Sequence, residues 1–592
     1  MDSLQVPVLV VGGGACGLTT SILLSDAGVD HLLIERHPTT SHLPKAHYLN
    51  QRTMEIFRQH GLADAIYAVG TPMAQMGKVR WRTTLGGDGP LDARTLQEME
   101  AFGGGRLAET YLRDSACPST NYPQLRLEPL LREQAEKRGP GRVHFNHELV
   151  SLTQDSEGVS AQVRARETGK EFTVRAQYLV AADGGKTVGP MIGISMQGPT
   201  NLGRIVTSHV SADLSAWWDD ACLITWFINP HNSGVFGSGA MVPMGPTWGR
   251  HSEEWVIHFS HAPNDLEHYD EEAVVPRLRA LLKLPDLPIK VHKVSDWVLD
   301  AVLAERYQTG RILLAGDAAH RHPPTTGLGL NTAVGDAHNL AWKLAAVVRY
   351  GANPRLIATY EEERRPVGMR NVDWAMFTAL NHAVCDAGMG FSPLQSPELR
   401  RATFEQFFAD SPMGETRRAR AAEVFATQRA EFQAHDLEIG YAYQKGALLA
   451  DGSAPPARDP MGHRYVSVAR PGHRLPHAWL KRDGERLSTH DLVGRDASYL
   501  LITDAEGEGW VKAAESLSDP AGLRIRTVCI GPHTAHVDES GHWASDSGLG
   551  SGGALLVRPD NHVAWRSAGP VADPARVLRE VLEGCSLYPI RD

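Results

Sequence analysis

Val6-Pro7-Val8-Leu9-Val10-Val11 runs directly into Gly12-Gly13-Gly14-Ala15-Cys16-Gly17, and downstream Leu32-Leu33-Ile34 ends in Glu35-Arg36. A short apolar run bounded by glycine reads as a buried strand. The glycines permit a tight turn in which backbone approaches a pyrophosphate closely. A helix predicted from about Ala15 turns its free N–H groups and positive dipole end onto the phosphates. Glu35, closing the second strand, stands where an acid accepts from ribose hydroxyls. Glycine-rich turns also occur as plain βαβ connections, so the strand before, the helix after and the acid carry the reading. Together they predict a Rossmann-like α/β dinucleotide-binding fold held by Gly12, Gly14, Gly17, Glu35 and Arg36.

Two further segments look like contacts of the same bound molecule. One is Val180-Ala181-Ala182-Asp183-Gly184-Gly185. The other is Gly316-Asp317-Ala318-Ala319-His320, followed by Pro323-Pro324 and Gly327-Leu328-Gly329-Leu330-Asn331.

The 592 residues predict roughly two to four domains and a large core. A formal charge of −10 and a pI near 6.3 argue against nucleic acid and anionic membrane surfaces as partners. Cys16, Cys117, Cys222, Cys385, Cys529 and Cys585 form no CxxC and no zinc spacing. His320 and His322 have no acidic or cysteine partner nearby in sequence, so no metal site is expected. No apolar run reaches the roughly 18 residues of a membrane span, and no basic leader precedes the first strand, so a cytoplasmic location is expected.

Along the chain, strand and helix alternate to about residue 75, ending in a helix over Asn50 to His60. Thr83 to Arg113, rich in Gly, Thr and Arg, reads as a long loop or lid. A helix over Leu127 to Arg138 precedes two alternating strands, Leu149 to Thr153 and Val159 to Arg166, which read as a hairpin. Residues 205–295 hold strand-like runs (223–228 and 255–259) and read as an inserted sheet. A helix over Thr332 to Tyr350 and further helices follow, and Gly452-Ser453-Ala454-Pro455-Pro456 marks a linker.

The three motifs in this order, with Pro44-Lys45-Ala46-His47-Tyr48-Leu49-Asn50-Gln51-Arg52-Thr53-Met54-Glu55, resemble the class A flavoprotein monooxygenases. These are the aromatic hydroxylases with the p-hydroxybenzoate hydroxylase fold, here in the phenol hydroxylase and 2,4-dichlorophenol 6-monooxygenase branch. The resemblance implies an FAD-binding domain in three pieces (1–75, 120–204, 296–380) and a substrate-binding region from 76–119 and 205–295. It further implies a helical connector (381–455) and a C-terminal thioredoxin-like domain (456–592). Lacking CxxC, that last domain is expected to be structural or an oligomer contact rather than a redox device.

The same resemblance assigns roles. Asp317 would hold the ribityl chain of FAD. Gly329, Leu330 and Asn331 would bring N–H groups to the flavin N1–C2=O edge, beside the rigid turn at Pro324. Gln124 would contact the ribityl or phosphate region, and Asp183-Gly184 would serve both FAD and pyridine nucleotide. Two departures stand out. Lys45 replaces the usual arginine, turning a forked contact into a point charge. After Asp183-Gly184 the usual serine is Thr187, and Gly189-Pro190 lie where an arginine is expected, so the reductant is NADPH or NADH.

The implied activity is hydroxylation of a phenolic or other electron-rich aromatic substrate through a flavin C4a-hydroperoxide, using NAD(P)H and O2. A homodimer is also implied. His47 falls where the phenol hydroxylase pattern has an aspartate near the substrate hydroxyl, and histidine can take a phenol's proton at neutral pH. Base, hydrogen-bond partner and structural histidine all stay open for it. Trp226, Phe227, Met241 and Trp255 are candidates for the pocket wall or for core. The alternatives are Baeyer–Villiger or related insertion on a polyketide-like ketone, and a non-catalytic flavin-fold binding protein.

Overall fold

The computed structural model describes residues 3–229, 234–261, 269–392, 394–519 and 522–585. Its first sheet forms around the opening apolar run. Strand Ser3–Val11 lies between Glu171–Ala181 and His31–Ile34, parallel to both. Ile312–Leu314 extends the sheet beyond Glu171–Ala181, and Val143–His144 extends it beyond His31–Ile34. Val8, Leu9 and Val10 have no exposed surface, as expected of a parallel sheet covered on both faces. Helices Ala15–Asp26 and Leu328–Val348 pack against each other over it. The expected hairpin forms from His147–Gln154 and Val159–Ala165, which pairs on to Glu171–Ala181.

The inserted sheet has seven strands, ordered Lys290–Val298, Arg204–Ser211, Glu254–Ser260, Ala240–Gly245, Cys222–Phe227, Lys78–Arg82 and Thr95–Glu100. This corrects the reading of Thr83 to Arg113 as a loop or lid. Thr95–Glu100 pairs antiparallel with Lys78–Arg82, and Ala108–Asp114 is a short helix. The alternation in Thr95–Glu100 was masked because most of its side chains are only half-buried at a sheet edge.

The strand candidates for pocket wall or core divide between the two. Phe227, Met241 and Trp255 join Ile257 and Phe259 in a core cluster against helix Val274–Leu282. Trp226 points to the other face, 4.1 Å from the His382 ring. The pleat therefore separates the four candidates, and three of them fill core.

After helix Arg355–Gly388, shorter helices run to Ile439, and 440–478 follows without helix or strand. The C-terminal unit is built on Tyr499–Thr503, parallel to Ile525–Cys529 and antiparallel to Ala554–Val557, which pairs with Val563–Ser567. Helices Glu508–Leu517 and Pro574–Cys585 pack together. This β-α-β, β-β-α arrangement is the thioredoxin-like fold.

Candidate active site

The first glycine turn admits no larger side chain. At Gly12, φ is +114° and a Cβ would lie 2.2 Å from the Ala182 carbonyl oxygen. At Gly17 it would lie 1.9 Å from the Gly12 oxygen. The first and second motifs thus close on each other. Gly14, at the start of helix Ala15–Asp26, has no side chain to cap it. Glu35 sits beyond its strand as expected, accepting from the Gly13 N–H (2.7 Å) and the His37 N–H (2.8 Å). Arg36 is half-buried beside it and Lys45 is exposed.

Glu128, which the sequence reading missed, accepts from the Ala15 N–H (3.1 Å), the Ser41 N–H (3.0 Å) and Gln124 Nε2 (2.6 Å). Burial raises its carboxyl above the usual range. Its spacing one helical turn after Gln124 was the available signal. Gln124 therefore lies beside the start of helix Ala15–Asp26.

Asp183 accepts from the Gly185, Thr187 and Val188 N–H groups, so its carboxylate shapes its own turn. Gly184 and Gly185 both have positive φ there. Asp317 differs: it is exposed and makes no hydrogen bond to another described residue. The loop carrying it is held from behind by buried Asp336, which accepts from the Gly316 N–H (3.1 Å) and Arg364 Nε (2.8 Å) and meets His320 Nε2 at 2.7 Å. The acidic partner of His320, absent nearby in sequence, comes from the following helix.

That helix, Leu328–Val348, begins at Gly327 in the left-handed conformation with no side-chain cap, leaving the Gly329 and Leu330 amides at an open helix end. Pro324 is exposed at the turn before it. Asn331 clamps the motif to the His47 segment: its Nδ2 donates to the Tyr48 carbonyl (3.0 Å) and its Oδ1 accepts from the Asn50 N–H (3.0 Å). The open helix end at Gly327, the glycine cradle at Gly12–Gly17 and the free Asp317 carboxylate would fit an FAD with its pyrophosphate at Gly12–Gly17 and its ring at Gly327–Asn331.

His47 lies beside that ring end. Its Nδ1 is 2.8 Å from Asn121 Oδ1, and Asn121 Nδ2 donates to Thr71 Oγ1 at 2.9 Å. The amide oxygen therefore faces the imidazole, so Nδ1 carries the hydrogen and Nε2 is the lone pair. Burial lowers His47 to about 4, so the ring is neutral near pH 7.

These features have counterparts in known proteins. Residues 5–375 match the FAD binding domain family, and residues 468–585 match the aromatic-ring hydroxylase C-terminal family. The chain belongs to the flavin-dependent aromatic-ring hydroxylases. It is 34% identical to phenol 2-monooxygenase of Pseudomonas sp. (strain EST1001), over 98% of this chain and 93% of the relative. It is also 34% identical to tetracenomycin A2 monooxygenase-dioxygenase of Streptomyces glaucescens, over 98% and 97%. The crystal structure of the flavin-dependent monooxygenase PieE in complex with FAD and substrate superposes with a TM-score of 0.92. It is 37% identical, with 99% of this chain and 100% of that one covered.

Proposed function

We propose that this FAD-dependent aromatic monooxygenase hydroxylates a phenolic ring, with NADPH or NADH as electron donor, and that His47 takes the phenol's proton. The observation that carries the reading is the neutral His47 ring with a free Nε2, tied through Tyr48 and Asn331 to the flavin motif. Gly12, Gly14 and Gly17 would seat the pyrophosphate, Glu35 and Arg36 the adenosine end, and Asp317 the ribityl hydroxyls. Gln124 and Lys45 would border the phosphates, while Asp183 and Gly184 shape the turn beneath. Bound FAD supplies electron storage and oxygen activation. The residues supply the rest: the open helix end at Gly329-Leu330 favours negative charge at the ring edge, and His47 accepts a proton from the substrate oxygen, making its ring more nucleophilic.

A polycyclic phenol is the second reading, favoured by the likeness to the tetracenomycin A2 enzyme. Anaerobic addition of NADPH or NADH to the FAD-loaded protein, with simple and polycyclic phenols, tests both. Flavin bleaching that accelerates with one phenol class supports the reading and selects the class. Bleaching indifferent to every phenol overturns it and favours ketone oxidation.

A further inference from the structure

Strand Glu254–Ser260 sends Trp255, Ile257 and Phe259 into core, so His258 lies on the opposite face of the sheet. Glu254 shares that face, and Arg126 reaches it at 2.8 Å. Arg126 stands two residues after Gln124, whose N–H donates to the Ala46 carbonyl at 2.8 Å. The His47 segment is thereby brought up to the His258 face, where Tyr48 joins Val256 in one buried cluster; burial, and after it His47, lowers the proton affinity of His258. Both rings are partly buried.

His258 is held from behind. Trp297 Nε1, which can only donate, gives its hydrogen to Thr207 Oγ1 at 2.8 Å. Among the described residues, His258 Nδ1, also at 2.8 Å, is the one acceptor in reach of the Thr207 hydroxyl hydrogen. With that hydrogen bond donated to Nδ1, His258 carries its own hydrogen on Nε2. Among the described residues, neither His258 Nε2 nor His47 Nε2 has a hydrogen-bond partner. On this face Glu254, Arg126 and His209 are taken up with one another.

We propose that His258 is the second half of a hydroxyl-reading pair: its Nε2–H donates to the substrate's phenolic oxygen while His47 Nε2 accepts that oxygen's hydrogen. This rests on the phenol hydroxylation proposed above. A neutral donor and a neutral acceptor match a phenol before proton transfer. When the proton moves to His47, the O–H bond breaks, the oxygen keeps the electron pair, and the His258 hydrogen bond becomes charge-assisted. Phenolate is thus favoured over phenol, and a ring bearing only a ketone satisfies His258 but not His47.

The test uses FAD-loaded protein and 4-nitrophenol, whose ionisation is read directly by its absorption. The wild type should bind the phenolate with an apparent pKa below that of the free phenol. His258→Phe should raise that bound value by about one to two units, the worth of one charge-assisted hydrogen bond. His258→Gln, which keeps a donor, should restore most of it. A His258→Phe protein that binds FAD and shows the wild-type value overturns the pair, as does failure of the Gln variant to recover while still binding flavin. The proposed function fails by a different sign: a wild type in which no phenol accelerates flavin reduction, whatever the His258 variants do.

Discussion

Arg474 places Nε and Nη2 on the two oxygens of Glu55, at 2.9 and 2.6 Å, across the junction between the thioredoxin-like unit and the helix Gln51–Gln59 that follows the His47 segment. Arg52 adds a contact to the same carboxylate at 3.2 Å, and its Nη2 reaches the Asp560 carbonyl at 2.7 Å. The arginines hold Glu55 well below the usual carboxylate range. A second buried group, Glu363 with Arg558 and Lys343, joins the same units through helix Arg355–Gly388. The C-terminal unit is therefore fastened to its own chain by desolvated ion pairs.

Glu55→Gln leaves two buried guanidiniums short of one negative charge. Breaking a buried pair from one side costs about 3–5 kcal/mol. Thermal unfolding followed by flavin fluorescence should show a clearly lowered midpoint for this variant. Arg58→Ala, at the partly exposed pair with Asp491, should cost under about 1 kcal/mol.

Gly17→Ala forces a methyl group to 1.9 Å from a backbone oxygen of the same turn, and no flexible side chain there can yield. The turn must open, moving the amides away from the phosphates. The variant should purify with little or no flavin, and its absorbance ratio against protein measures this directly. Gly184→Ala meets nothing within 4 Å but requires φ near +72°, so its effect should be a milder loss of about 1 kcal/mol.

How much of this was legible depended on range. The Gly12–Gly17 turn, Glu35 and the Gly327–Asn331 helix start are local constructions, and sequence marked them because strand, turn and helix signals sit side by side. Glu128 and His258 were missed because their roles arise from contacts across 113 and 51 positions, to Ala15 and Thr207. For Phe227, Met241 and Trp255 pocket wall and core both stood open: apolarity shows that a strand residue is buried, while only the pleat and the covering helix Val274–Leu282 decide where. Asp317 and Asp183 look alike in sequence, yet one carboxylate is free and the other caps its own loop.

Glu431 joins the helical block to the flavin motif. One oxygen is 2.6 Å from His382 Nε2 and the other accepts from the Thr326 N–H at 3.4 Å. Thr326 holds φ at +63°, a conformation a β-branched residue adopts only under constraint. Glu431→Ala removes the constraint, and the Pro324–Gly327 turn should relax. FAD affinity should fall by about tenfold, near 1.4 kcal/mol, in a fluorescence titration. An unchanged affinity would show that the Thr326 to Thr378 contact at 3.0 Å suffices alone.

The pH dependence of turnover should report His47. Its folded value of about 4 lies below the ordinary 6.5 because burial penalises the charged ring, so the neutral acceptor persists until pH falls through about 4. The acid limb of kcat/KM for a phenol should therefore lie nearer pH 4 than 6.5. Asn121→Asp puts a carboxylate at 2.8 Å from Nδ1 in place of an amide oxygen. An adjacent negative charge favours imidazolium, raising the ring's value by about one to two units. The limb should move up by that amount: the variant loses activity relative to wild type at pH 5 and keeps most of it at pH 8. The same proton uptake has a stability sign. The unfolded chain binds a proton at His47 below 6.5 while the folded chain does not until about 4, so this group costs stability as pH falls through that window. In Asn121→Asp the window narrows, and the variant should lose less stability than wild type between pH 6.5 and 4. A kcat/KM limb that stays in place in the variant would remove His47 as the proton acceptor.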